Sequence, residues 1–124
     1  MNMTNLLTIG FVGTLFGLAG CAGAGAEAEL KYDGAASGTH TDAITCDDQA
    51  TIKGNGNVAD GEVMVTLKDS AGNQLLQQTF KGDFTLVEKT VSGSSGAWSV
   101  SAQRSGDDVV GDAFTGKYEF YVNC

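Results

Sequence analysis

Proline is absent from all 124 residues, histidine occurs once, and lysine and arginine number seven against fifteen acidic residues. Each shortage excludes something. The few cations form no cluster, so nucleic acid is a poor partner, because affinity for phosphates comes from grouped Lys and Arg. Anionic head groups are disfavoured as a docking surface for the same reason. One histidine, His40, cannot supply a transition-metal set, which needs several converging ligands. It is also the only imidazole available to activate a nucleophile, and no serine stands in a G-x-S-x-G elbow. Without proline, the edges of any β-sheet must be guarded by charge and bulges instead. Helical signals are missing too: no stretch shows apolar spacing at i, i+3, i+4 over three turns.

Charge is also missing from one end. Met1 to Ala26 contains no charged side chain, and the net charge of −8 lies entirely from Glu27 onward. Just under a hundred residues follow that step, enough for one domain with a single core. Their acidity suits solubility and mutual repulsion at a crowded surface.

Before the step, Leu6 to Ala19 (LLTIGFVGTLFGLA) has the length of a signal-peptide h-region and is short for a spanning helix. It ends in Leu18-Ala19-Gly20-Cys21. This resembles the lipobox of bacterial lipoproteins, in which the Cys thiol takes up a diacylglyceryl group and a peptidase cuts before it. The resemblance implies a signal peptide over 1–20, a lipid on Cys21 and a flexible tether over 21–27. A β-domain over 28–124 follows. It also implies a membrane partner through the lipid, and an outer-membrane address in a two-membrane cell, since Ala22 rather than Asp follows the cysteine. Two features run the other way. The leading segment Met1–Asn5 has no Lys or Arg, and Ala22-Gly23-Ala24 and Ala24-Gly25-Ala26 offer A-x-A sites for ordinary secretion. An uncleaved membrane anchor is a further alternative.

There are three cysteines, Cys21, Cys46 and Cys124. With Cys21 acylated, the other two form an even pair in an oxidising compartment, the condition for a structural disulfide. A Cys46–Cys124 bridge closes a loop of about 80 residues, worth roughly 4 kcal/mol in the chain-entropy model.

The downstream part reads as strands. Ala28–Tyr32 is a short edge candidate and Gly34–Thr41 a loop. Ala43–Lys53 reads as one strand bulged near Asp47-Asp48 and ended by Gly54-Asn55-Gly56-Asn57. Glu62–Asp69 alternates with Val63, Val65 and Leu67 on one face. Asp69–Asn73 is a hairpin turn with Gly72 free to take positive φ. Gln74–Phe80 returns antiparallel, Lys81-Gly82-Asp83 breaks it, and Phe84–Ser92 follows. Gly93–Gly96 is the next turn. Ala97–Arg104 turns Trp98, Val100 and Ala102 inward; Ser105–Asp112 is a loop; Phe114–Asn123 shares a face among Tyr118, Phe120 and Val122. The expected fold is all-β: a small antiparallel, Ig-like sandwich of six or seven strands, with a small barrel as the alternative. The runs Gly96-Ala97-Trp98-Ser99-Val100 and Phe114-Thr115-Gly116-Lys117-Tyr118 look like the last two strands of small bacterial surface sandwiches. There a G-x-W-x-V strand pairs with an F-x-G-x-Y strand.

No catalytic or metal-binding residue is assigned, and no cofactor. The carboxylate pairs Asp47-Asp48 and Asp107-Asp108, with Asp112, suit calcium better than glycosidase chemistry, but no EF-hand-like loop is present. The expected function is a non-enzymatic envelope lipoprotein, a structural or adhesion module with an envelope protein as partner. A calcium- or small-ligand-binding accessory is the alternative. Alternation places Tyr121 opposite Phe120 and outward, which makes it the candidate contact residue.

Overall fold

The computed structural model describes residues 26–106 and 113–124. The proposed signal peptide, Cys21 and most of the tether lie outside the described residues, as do Asp107, Asp108 and Asp112.

Six antiparallel strands form one hydrogen-bonded sheet: β1 (Glu27–Gly34), β2 (Gly38–Cys46), β3 (Gln49–Lys68), β4 (Gln74–Ser92), β5 (Gly96–Ser105) and β6 (Thr115–Asn123). The path runs β1-β6-β3-β5-β2, and β4 pairs the other edge of β3. The two long strands organise the rest. On one edge, residues 51–60 of β3 pair with β6 and residues 62–68 pair with β5. β5 and β6 therefore lie end to end along β3. β1 and β2 continue outward in the same way, β1 on β6 and β2 on β5.

The sheet bends across its middle. The register of β3 with β4 shifts between Val58 and Val63, where Gly61 and Gly82 take φ of +86° and +65°, a backbone region open mainly to glycine. Bulges and glycines are the ordinary means of curving a sheet. The bend creates two facing layers. One comprises β1, β6 and the adjoining stretches of β3 and β4; the other comprises β2, β5 and the remainder of β3 and β4. The ends of the path, β1 and β2, come into contact, so the layers close like a barrel. Between them sits one core, with Leu30, Ile52, Phe120 and Val122 from the first layer and Val65, Leu67, Trp98 and Val100 from the second. The end opposite the bend is clasped by the Cys46–Cys124 disulfide, whose Cα atoms are 5.4 Å apart, within the usual range.

The all-β antiparallel fold and the inward faces agree with the alternation: Val63, Val65, Leu67, Trp98, Val100, Ala102, Tyr118, Phe120 and Val122 are all buried. The hairpin turn at Asp69–Asn73 is present, with Gly72 at φ +84°. Several boundaries need correction. Asp47-Asp48 is a corner and no bulge, since Cys46 ends β2 in one layer and Gln49 opens β3 in the other. Gly38–Thr41 belongs to β2, paired with β5.

Gly54-Asn55-Gly56-Asn57 does not end its strand. A Cβ on Gly54 would meet the Phe120 ring at 2.5 Å, and one on Gly56 would meet Phe84 at 2.7 Å. The glycines admit aromatic rings flat against the strand, and the rings in turn restore the packing that glycine lacks. Phe80, Phe84 and Phe120 stack there with centroids 4.3–6.0 Å apart. Lys81-Gly82-Asp83 likewise lies inside β4, at the bend. The G-x-W-x-V strand pairs β2 and β3, and not the F-x-G-x-Y strand as the resemblance implied.

Candidate functional site

Because the core claims the inward face of most of the sheet, chemistry falls to the outer faces, the edges and the turns. Tyr121 stands on the outer face of the first layer, opposite Glu29 on β1 and Lys53 on β3. It is half-buried, and its hydroxyl donates to a Glu119 carboxylate oxygen. That bond, then partial burial and the Glu119 charge, hold the phenol above its ordinary pKa. Lys31 is held protonated to higher pH mainly by Glu29, 3.6 Å away, with Tyr121 and Glu119 adding to it. Glu29, Glu119, Lys31 and the phenol, with the exposed Lys53 across from Tyr121, thus form a mixed-charge patch. The Lys31–Glu29 pair is about half exposed, so the patch suits polar contact with a surface more than proton transfer.

Beside it runs an open groove of about 450 Å³, walled by Lys31, Asp33, Asn55, Lys117 and Glu119. A second depression of about 590 Å³ shares Asn55 and Lys117 and extends to Asp83 and Thr85. Asn57 donates to Asp83 along that side. Alternation placed Tyr121 on the outer face, as it is here, but did not reveal the groove, because the groove depends on β6 lying between β1 and β3, which no local pattern announces.

The opposite end of the domain holds the one buried carboxylate among the described residues. Asp69 is 5% exposed. It accepts from the backbone N–H groups of Ser94 (2.9 Å), Asn73 (2.9 Å) and Ala71 (3.0 Å) and from the Asn73 amide (3.1 Å). Those donors, Ser94 foremost, lower its pKa. The Trp98 indole donates to Ser94 O at 2.6 Å, and Gly93 N donates to Asp48 O. Asp69 therefore ties the β3–β4 turn to the β4–β5 turn, a structural task that its place in a predicted turn did not reveal.

At the bend, Arg104 stacks over the Tyr32 ring at 3.8 Å, donates to Ala36 O and reaches Tyr118 Oη at 3.1 Å. It seals the core beneath the β1–β2 connection.

His40 is exposed on β2, opposite Ala102, and not in a loop. Asp47 and Asp48 are exposed at the corner. Among the described residues no three His, Cys, Asp or Glu side chains converge as a metal site. No family model matches this chain, and a search of curated proteins finds no relative.

Proposed function

We propose that this chain is an exported, lipid-anchored envelope protein whose β-domain is a non-enzymatic interaction module. The reading rests on cysteine use. Leu18-Ala19-Gly20-Cys21 follows an uncharged apolar run, and the other two cysteines are joined to each other. Cys21 is left as the single thiol, in the one position where a lipid is expected. A disulfide is kept in oxidising compartments outside the cytoplasm, which fits export. The anchor supplies the membrane contact, in the outer membrane of a two-membrane cell, and the 21–27 tether gives the domain reach. The mixed-charge face around Tyr121 and its groove then serve as the contact surface for an envelope protein.

The test is metabolic labelling with a palmitate analogue in the native host. Wild type should carry the label and sediment with membranes, and Cys21→Ser should lose the label. An unlabelled wild-type protein refutes the proposal.

A further inference from the structure

Backbone register fixes where the chain enters the domain. β1 starts at Glu27, paired with Asn123, and Cys124 N donates to Ala26 O at 3.0 Å. Ala26 therefore lies at the disulfide end, beside Cys124 and its bridge to Cys46. The opposite end is at the bend: β1 stops there at Gly34, β2 starts at Gly38, β6 begins at Thr115 and β4 passes through Gly82. β2 and β6 each cover nine residues between the two ends, eight steps of roughly 3.4 Å or about 27 Å. A barrel-like tilt of about 35–45° shortens that to about 19–22 Å along the axis. Cys21 and Ala26 are five residues apart in the sequence, a span of at most about 18 Å for a fully extended chain. The link is thus shorter than the domain is long.

We propose that the anchored domain presents its disulfide end to the bilayer and its bend to the space beyond, an orientation that rests on the lipid anchor proposed above. With its lipid in the bilayer, Cys21 sits at the level of the head groups. A pose with the bend against the membrane would hold Ala26 farther from the surface than the link can stretch. Charge does not supply this orientation. The turns at the disulfide end, 46–49, 69–73 and 92–96, bring Asp47, Asp48 and the buried Asp69 and no lysine or arginine, so anionic head groups do not draw this end down. Chain reach alone keeps it near. The surface nearest the bilayer is then the acidic corner Asp47-Asp48 with the exposed Glu27. The groove falls in the far half, because Asp33↔Lys117, Asn57↔Lys117 and Asn57↔Asp83 are pairs close to the bend. A partner protein thus meets the groove from the side away from the anchoring bilayer.

The experiment uses the full lipidated chain, purified from native membranes and returned to phosphatidylcholine–phosphatidylglycerol vesicles that contain an acceptor-labelled lipid. A donor dye is placed on Ser95→Cys or on Ala35→Cys, both exposed positions. Ser95 adjoins Gly96, which pairs with Cys46, and Ala35 adjoins Gly34, which pairs with Gly116 near the bend. Energy transfer to the bilayer should be several-fold stronger from position 95 than from position 35. Inserting about twenty Gly and Ser residues after Gly25 raises the average span of the link to about 25–30 Å, comparable to the domain, and should bring the two signals together. Flotation of the vesicles distinguishes anchorage from orientation. A chain that does not float has no anchor, which overturns the lipid and this orientation with it. A chain that floats with equal signals, or with the stronger one from position 35, keeps the anchor and overturns the orientation. A preference for position 95 that survives the longer link overturns chain reach as its cause.

Discussion

Breaking the Cys46–Cys124 bridge tests the architecture most directly. The cysteines are 78 positions apart, and the chain-entropy relation for a loop of that length gives about 4.5 kcal/mol at 25 °C. Marginal stability for a small domain is about 5–15 kcal/mol, so the clasp is a large share. With an unfolding entropy of about 2.1 cal/mol/K per residue over roughly 100 residues, the loss corresponds to a fall in Tm of about 20 °C. The structure explains why so little else compensates. The bridge joins the end of β2 in one layer to the residue after β6 in the other, at the end opposite the bend. There the layers are otherwise held by the 47–48 corner and by turn contacts such as Gly93 N to Asp48 O. Thermal melting followed by circular dichroism, with and without reductant, measures the effect in the intact sequence. A Cys46→Ala/Cys124→Ala variant checks it free of reductant. A midpoint that falls by less than about 5 °C in both would refute the view that the bridge carries this share of stability.

Two further outcomes are expected. Asp69 has a pKa lowered by its donors, so its contribution is complete above the ordinary aspartate value of about 3.9 and is lost as pH falls through the lowered folded value. Asp69→Asn should melt below wild type at neutral pH, and the gap between the two should narrow steadily below about pH 4; a gap that widens on acidification contradicts the assignment. Tyr121→Ala should leave the melting temperature within a few degrees, because the ring lies on the outer face, yet weaken crosslinking to the proposed envelope partner in cells. Undiminished capture would move the contact surface elsewhere.

Alternation made the strand faces legible from the residues alone, because a period of two leaves only one way to bury Val63, Val65 and Leu67, or Tyr118, Phe120 and Val122. The same rule put Tyr121 on the outside. The Asp69–Asn73 turn was legible for a local reason as well, since a tight turn needs the residue types found there. Strand boundaries were less so. Gly54 and Gly56 look like breakers until Phe120 and Phe84, dozens of residues away in the chain, lie across them, and Asp47-Asp48 looks like a bulge until its two flanking strands are seen in different layers.

Alternation, composition and cysteine count by themselves determined an all-β domain, a first stretch of 26 residues without a charged side chain, and two cysteines within the domain that could pair. Only the tertiary structure decided that β5 and β6 lie end to end along β3, that the groove forms between Lys31 and Lys117, and that β4 pairs the other edge of β3. Each of these depends on which strand neighbours which. Pairing is set by contacts between distant segments, and the local pattern of a strand specifies its faces without specifying its neighbours.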